Sequence, residues 1–139
     1  MEQWVIYALL SAFTAGLVGI FGKIGLENVD STLATTVRAF VMFLFLAVDS
    51  LSTKKFQLIN RIDSRAFLFI ILSGIMGAVS WLAYFLALKA GSVSKVVPVD
   101  RLSIVFAVVL AVLFLGESVN LASVLGIIIM VIGAVLLAI

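Results

Sequence analysis

A run of 23 residues, Ala66–Leu88, contains no charged side chain. As a helix it would extend roughly 35 Å at 1.5 Å per residue, enough to cross the hydrocarbon layer of a membrane, which is about 30 Å thick. In the whole chain 65% of the residues are hydrophobic and only 12% are charged, whereas soluble domains carry about 25% charged residues. The chain is therefore expected to fold inside a lipid bilayer.

Four further apolar runs are long enough, or nearly so, to span a membrane. Because the bilayer interior offers no water to unpaired backbone groups, an open sheet could not survive there, and no segment requires a strand. We therefore predict an all-α integral membrane protein with five transmembrane helices in a single domain over residues 1–139. The expected helices cover about 3–27, 31–49, 65–90, 93–116 and 119–139, and Ser31 or Thr32 is expected to cap the second one.

Composition also limits the chemistry. The chain has no Cys and no His, so it lacks the commonest ligands of transition metals and the usual proton carrier near neutral pH. Its motifs include no nucleophile–base pair, phosphate-binding loop or metal cluster, and its basic residues are scattered along a chain of net charge +2. We expect no enzyme activity, no cofactor, no metal and no nucleic-acid partner.

Two predicted spans carry charged residues, which are costly inside a bilayer unless they are matched. Arg38 lies near the middle of the second span, and its planar fork suits a carboxylate or a phosphate. It is a structural partner for another helix, a substrate-facing anion binder, or a contact for lipid headgroups. Asp100 and Arg101 are further candidates for substrate binding or coupling, in the stretch Ser92–Ser103 that also holds the chain's one proline, Pro98.

The position of Asp100 allows two interpretations. If the fourth helix begins at Pro98, Asp100 lies in its first turn and complements the helix dipole. If the helix begins near Val93, Asp100 lies deeper in the membrane, where a desolvated carboxylate can exchange protons, and Pro98 loosens the backbone. Asp100 and Arg101 point about 100° apart on a helix, so a pair between Arg38 and Asp100 is favoured over a pair between these neighbours.

The third predicted helix carries an aromatic stripe and two glycines. Trp81, Tyr84 and Phe85 recur at three- and four-residue spacing, which places them on one face. Such stripes usually pack helices together, and this one could also line a substrate cavity. Gly74 and Gly77 are expected on a close-packing face, because small residues let membrane helices approach one another.

The basic residues outside the spans bear on orientation. The loop 49–65 has four Lys or Arg, and the opposite face has Lys23, Lys89 and Lys95, with Arg101 near it. The slight excess of basic residues in the loop 49–65 favours a cytoplasmic N-terminus. Because the basic residues on the two faces are nearly equal in number, insertion in both directions is also permitted. One interpretation is that the three lysines anchor the helices at the membrane interface with snorkelling side chains. The other is that they form a positive charge at the mouth of a pathway and attract an anionic solute.

Five short motifs follow one another along the chain. They are Gly22-Lys-Ile-Gly25, Ala34-Thr-Thr-Val-Arg38, Ser80-Trp-Leu-Ala-Tyr-Phe-Leu-Ala-Leu88, Gly91-Ser-Val-Ser-Lys-Val-Val-Pro98 and Phe114-Leu-Gly-Glu117. In this order, and over essentially the whole length, the chain resembles a single EamA-type repeat of the drug/metabolite transporter superfamily.

The resemblance implies a multi-pass transporter of small metabolites in the cell membrane. The commoner family form has ten helices in two inverted repeats around a central cavity, whereas this chain has one repeat. Because an odd number of spans inverts a directly fused second copy, the half-size form implies an antiparallel homodimer. A parallel dimer, or a pair with a related half-size subunit, remains open. Small multidrug transporters of the superfamily rely on a glutamate in helix one, but Gln3–Gly22 contains no acid, so proton exchange for cationic drugs is not expected.

We therefore expect a secondary transporter of a small organic metabolite that works by alternating access as a dimer of five-helix subunits. Its partners would be the lipid bilayer, the substrate and the second subunit. Two alternatives belong to other functional classes. One is a non-transporting subunit that assembles with another membrane protein, and the other is a flippase subunit for a lipid-linked substrate.

Overall fold

The structure is a computed structural model that describes residues 3–139. Its regular elements in this range are all helices, which confirms the all-α fold class. They are α1 (Gln3–Gly25), α2 (Ser31–Ser52), a 3₁₀ helix (Lys55–Arg61), α3 (Ser64–Ala90), α4 (Val93–Asp100), α5 (Ser103–Leu110), a π-helical turn (Ala111–Leu115) and α6 (Leu121–Ala138).

Five stretches of the described chain are long and apolar enough to cross a membrane. Four are the single helices α1, α2, α3 and α6, and the fourth in chain order, Val93–Leu115, combines α4, α5 and the π-helical turn. Their mean hydropathy lies between 1.8 and 2.9. The prediction of five spans is confirmed.

Short polar side chains set where two of the spans begin. Asp30 Oδ1 accepts hydrogen bonds from the backbone N–H groups of Thr32 at 2.9 Å and Leu33 at 3.0 Å. Asp30 is therefore the N-cap of α2, and the expected cap at Ser31 or Thr32 is wrong, because a carboxylate one position earlier satisfies two donors at once. Asn120 caps α6 in the same way, accepting from the Ser123 N–H at 2.8 Å.

The fourth span is interrupted, in contrast to the continuous helix expected over residues 93–116. Pro98 lies inside α4 and has no N–H to donate. Beyond it, Leu102 N–H bonds Val99 O at 3.0 Å and Ile104 N–H bonds Arg101 O at 3.1 Å. These three-residue bonds replace the four-residue ladder and divide the span into two helices of eight residues each.

The contacts between residues divide the chain into two units. One is Gly22–Lys89, and the other combines the residues up to Phe21 with Ala90–Ile139. In the Gly22–Lys89 unit the most deeply buried side chains are those of Leu26, Ser31 and Leu88. The assignment of the whole chain to one domain stays a prediction.

The end of α1 approaches α3 closely within the Gly22–Lys89 unit. A Cβ atom added at Gly22 would lie 3.4 Å from both Leu88 Cδ1 and Phe85 Cζ. The glycine thus lets two large side chains of α3 pack directly on the helix backbone. This contact fixes the buried edge of the aromatic stripe.

The other unit is organised around α4 and α6, which pack against each other. Ala134 of α6 is buried. Lys95 Nζ donates to the Ile139 carbonyl oxygen at 2.7 Å, which ties α4 to the end of α6.

Candidate functional site

A cavity of about 670 Å³ lies between α2 and α3. It has a polar part, formed by Thr32, Thr35, Thr36 and Arg38, and an apolar part beyond it. The apolar part is lined by Ala39, Met42, Phe43, Leu46, Gly74, Gly77, Ala78, Trp81 and Leu82.

Helical spacing explains why these residues share one surface. On α2 the lining positions recur three or four residues apart from Thr32 to Leu46, and on α3 they recur in the same way from Gly74 to Trp81. Side chains at such spacing lie on one face of a helix. Since the hydroxyl groups occupy the first turns of α2 only, the cavity is polar at that end and apolar further along.

Small residues on α3 provide the space. A Cβ atom added at Gly74 or at Gly77 would meet no neighbouring atom within 4 Å. The expectation that these glycines form a close-packed face is wrong within this subunit, because α2 and α3 do not close over them. They line the cavity instead, and leave room there for a bound molecule.

Arg38 stacks on Trp81 within this cavity. The guanidinium carbon Cζ lies 3.4 Å from the centroid of the Trp81 ring and 5.8 Å from that of Phe85. A guanidinium over an indole face is a favourable cation–π arrangement, contributing about 0.5–2 kcal/mol. Arg38 lies seven residues after the start of α2, or about 10 Å along the helix axis, so it stands in the first half of the span and closer to its middle than to its end.

The stack leaves the hydrogen-bonding edge of Arg38 unused by carboxylates. Within residues 22–89, no carboxylate lies within 4.0 Å of the guanidinium. Stacking uses the face of the guanidinium, whereas its N–H donors lie in its plane. Those donors are therefore oriented to meet an anion that enters beside the ring.

Two further aromatic residues hold Trp81 in place. The Tyr84 ring lies 5.5 Å from Trp81 at an interplanar angle of 87°, and the Phe85 ring lies 6.2 Å away at 67°. Both are buried, and neither belongs to the cavity lining. The predicted stripe is thus present on α3, with Trp81 at the cavity and the other two rings packed behind it.

The threonine hydroxyls supply acceptors to the polar end. Thr35 Oγ1 donates to Ser31 O at 2.7 Å, and Thr36 Oγ1 donates to Thr32 O at 2.8 Å. Each hydroxyl hydrogen is committed to the helix backbone, so the oxygen lone pairs are what remains for a ligand. The polar end therefore combines cationic donors from Arg38 with neutral acceptors from α2.

Asp100 and Arg101 lie in the other unit. Asp100 is the last residue of α4 and is half-buried, and Arg101 is exposed. Because the helix begins at Val93, the interpretation that places Asp100 in a first helical turn at Pro98 is wrong. The pairing of Arg38 with Asp100, and the part of either residue in coupling, stay predictions.

Each of the three lysines assigned to the mouth donates to a backbone carbonyl. Lys23 Nζ bonds Leu88 O at 2.6 Å, Lys89 Nζ bonds Val29 O at 2.7 Å, and Lys95 bonds the end of α6 as described above. The Leu88 and Ile139 carbonyls are at helix ends, where carbonyls lack helical partners, and Val29 O lies in the loop between α1 and α2. These contacts anchor helix ends, and an additional role in attracting solutes stays a prediction.

A second cavity, of about 380 Å³, lies beside α5 and α6. Its lining residues are Val105, Val108, Val109, Val112, Leu113, Val119, Val124, Ile127 and Ile128. It presents only aliphatic side chains and has no group that could orient a polar solute.

Reasoning from the sequence missed the threonines of the polar end. The signal was present, because Thr32, Thr35 and Thr36 share one face of the second span with Met42. Elsewhere, no group of three or more His, Cys, Asp or Glu residues in the described part of the chain could hold a metal ion.

Comparison with known proteins agrees with this architecture. The model of the EamA-like transporter family matches residues 2–139. A Sinorhizobium protein named as an uncharacterized transporter in the cobO 3′ region is 42% identical over 138 residues, which cover 99% of this chain and 98% of that protein. An uncharacterized protein of Methanocaldococcus jannaschii is 27% identical over 141 residues, covering 100% and 98%. No solved structure matches. The chain belongs to the EamA-like transporter family and is a multi-pass membrane transporter, not an enzyme.

Proposed function

We propose that the protein is a secondary transporter of a small organic metabolite, that it works by alternating access, and that the cavity between α2 and α3 binds the substrate. The observation that carries this proposal is the guanidinium of Arg38, stacked on Trp81 without a carboxylate partner in its own unit. Charged groups within membrane spans are costly, and they mark substrate or ion pathways.

The chemistry of the cavity supports a substrate with an anionic group and an apolar part. The in-plane donors of Arg38 match the two oxygens of a carboxylate or phosphate. The side chains of Met42, Phe43 and Leu46 offer an apolar surface further along α2. A solute that placed its anion on Arg38 and its hydrocarbon against α2 would satisfy both parts.

We further propose that the working unit is an antiparallel dimer in the cell membrane. Five helices are too few to wall a polar pathway and seal it at both ends, and a cavity between two helices needs further walls. The nearly balanced loop charges allow both orientations of the subunit, and two inverted copies reproduce the arrangement of inverted-repeat transporters. A parallel dimer or a related half-size partner would supply the same number of helices.

A second part of the proposal is that Asp100 couples transport to a proton gradient. It ends α4, two residues after the proline that lies inside that helix. A half-buried carboxylate next to an interrupted backbone resembles the broken helices at which transporters bind coupling ions. Transport by the Asp100→Asn variant that no longer responds to an imposed proton gradient would support this assignment.

Transport by purified protein in liposomes tests the substrate site. Radiolabelled amino acids, amines and organic acids would be offered in turn, and the wild type is expected to accumulate at least one anionic member. Arg38→Ala is expected to abolish that uptake, because no other cation lines the cavity among the described residues.

Two variants serve as controls. Arg65→Ala, which removes an exposed arginine outside the cavity, should transport at the wild-type rate. Arg38→Lys keeps the charge without the fork and should retain only a small part of the activity. A folded Arg38→Ala protein that transports normally would exclude the binding role. A wild type that moves solute only after a second membrane protein is added would favour the subunit alternative.

A further inference from the structure

The segment between α2 and α3 is cationic and carries little acid. Residues 53–65 contain one carboxylate, Asp63, whose Oδ2 accepts from the Arg65 N–H at 3.2 Å and which therefore helps to start α3. Three basic side chains, Lys54, Lys55 and Arg61, lie between the two helices, and a fourth, Arg65, lies in the first turn of α3. Lys54 has a left-handed backbone, with φ of 56°, which turns the chain sharply out of α2.

The 3₁₀ helix that follows is amphipathic. With three residues per turn, side chains three positions apart lie above one another. Phe56, Ile59 and the following Ile62 therefore share one face, and Gln57 and Asn60 share a second. The apolar and the amide side chains of this segment therefore lie on different faces of the 3₁₀ helix.

Lys55 and Arg61 occupy the third face of this helix, on either side of Leu58. With three faces about 120° apart, this face directly borders the apolar face. When such a helix lies flat on a bilayer with its apolar face toward the acyl chains, long basic side chains on the bordering face can reach the phosphates of the headgroups. Lys54 lies two residues after the end of α2 and complements its dipole, whereas Arg61 is too far from α2 to do so.

The apolar face is not covered by the subunit. Phe56, Ile59 and Ile62 are 46%, 54% and 41% exposed. Together with Lys55 and Leu58 they border a cavity of about 260 Å³ that extends to Ser50, near the end of α2. Because the segment joins two spans, this apolar surface lies at the boundary of the bilayer.

We propose that Lys55–Ile62 lies flat in the headgroup layer and binds an anionic phospholipid. The apolar face enters the acyl boundary, the amide face meets water, and Lys55 and Arg61 bind the lipid phosphate. Charge complementarity identifies the occupant, since a surface with four cations and one acid fits anionic lipid. This inference does not depend on the transport proposal.

Site-specific labelling tests the orientation. The chain has no native cysteine, so Ile59→Cys and Asn60→Cys each accept one environment-sensitive fluorophore. In vesicles with a quencher attached near the top of the acyl chain, the label at 59 should be quenched at least threefold more than the label at 60. Equal quenching at the two positions would overturn the proposal. Disulfide crosslinking between Ile59→Cys copies, in place of quenching, would assign this face to a second subunit and would also overturn it.

A charge series tests the lipid class. The wild type in phosphatidylcholine vesicles should gain thermal stability when phosphatidylglycerol replaces part of the lipid. The double variant Lys55→Gln with Arg61→Gln should lose at least half of that gain, and the matched variant Lys55→Arg with Arg61→Lys should keep it. A neutralised variant that retains the full gain would refute the assignment. Both side chains are exposed, so the substitutions leave the spans intact.

Discussion

The cavity beside α5 and α6 and the cavity between α2 and α3 both lie beside membrane-spanning helices, and they differ in one respect that decides their chemistry. The cavity beside α5 and α6 is lined entirely by Val, Leu and Ile. The cavity between α2 and α3 is largely apolar as well, but it has Arg38 stacked on Trp81 and the threonine hydroxyls at one end. A lipid tail could fill either of them, and only the second can orient a polar solute.

The comparison shows what an arginine needs in order to lie within a span. Arg38 is supported by the Trp81 ring, which is itself held by two buried aromatic residues. The aliphatic cavity has no ring and no hydroxyl group. The charge of Arg38 therefore lies on an aromatic platform that the aliphatic cavity does not offer.

The largest effect is expected from placing an arginine in the aliphatic cavity. Val108→Arg would put a guanidinium among aliphatic side chains, where a charge within a span costs about 3 kcal/mol. Folded protein in the membrane fraction should fall strongly, as measured by detergent extraction and size-exclusion chromatography. Val108→Leu is the matched control and should extract like the wild type. Full recovery of Val108→Arg would show that the two cavities tolerate charge equally.

Removing the platform under Arg38 should have the next largest effect. Trp81→Ala abolishes the cation–π contact, which contributes up to about 2 kcal/mol, so substrate affinity should fall by up to roughly 30-fold. Trp81→Phe keeps an aromatic face and should lose much less. The measurement is the half-saturating substrate concentration in liposome uptake. An unchanged half-saturating concentration for Trp81→Ala would show that the stack of Arg38 on Trp81 does not contribute to substrate binding.

A smaller effect is expected at the lysines that anchor helix ends. Lys23→Met removes the 2.6 Å bond to Leu88 O in a partly buried position, and a hydrogen bond from a charged group contributes about 1.5–3 kcal/mol. The midpoint of thermal unfolding should fall by several degrees. Lys95→Met removes the more exposed bond to Ile139 O and should lower it less. A larger loss for Lys95→Met would reverse this ranking.

The smallest effect concerns the cap at the polar end of α2. The Leu33 N–H, with help from the Thr32 N–H and the charge of Lys89, holds the pKa of Asp30 below its ordinary value of 3.8, although desolvation acts in the opposite direction. A lowered folded-state pKa means that this stabilisation is complete above pH of about 4 and is lost as the pH falls through the lowered value. Unfolding midpoints measured at decreasing pH should show that loss.

Asp30→Asn is the control for the cap. Asparagine caps a helix without titrating in this range, so the variant should lack the acidic step while unfolding at a similar midpoint near neutral pH. The same acidic step in the variant would assign the titration to another carboxylate.

The spans could be predicted from the sequence because they depend on composition. A charge-free run such as Ala66–Leu88 has one stable form in lipid, and the structure has α3 there. The cap at Asp30 was missed because an acid between two apolar runs is typical of any loop. The turn after Asp100 was missed because only Pro98 signalled it, whereas Val, Leu and Ser on either side are compatible with an unbroken helix.

The candidate site could be predicted only in parts. Arg38 and Trp81 each stand out in the sequence, Arg38 by its charge and Trp81 by the stripe that it begins. Their contact joins positions 43 residues apart and depends on how α2 packs on α3. Gly74 and Gly77 fit close packing and open space equally well, so only the helix separation distinguishes these outcomes.

The division of the fourth span has a consequence for how the membrane protein changes shape. Helices of eight residues, such as α4 and α5, are too short to be stable by themselves, because isolated helices need about 12–15 residues. Each therefore keeps its form through neighbours and lipid, whereas α3 has 27 residues in one continuous ladder. A small rotation at Arg101 and Leu102 breaks few backbone bonds, and the same rotation in α3 would break several. The joint between α4 and α5 is thus a place in the fourth span where the protein can bend at a lower free-energy cost than within α3.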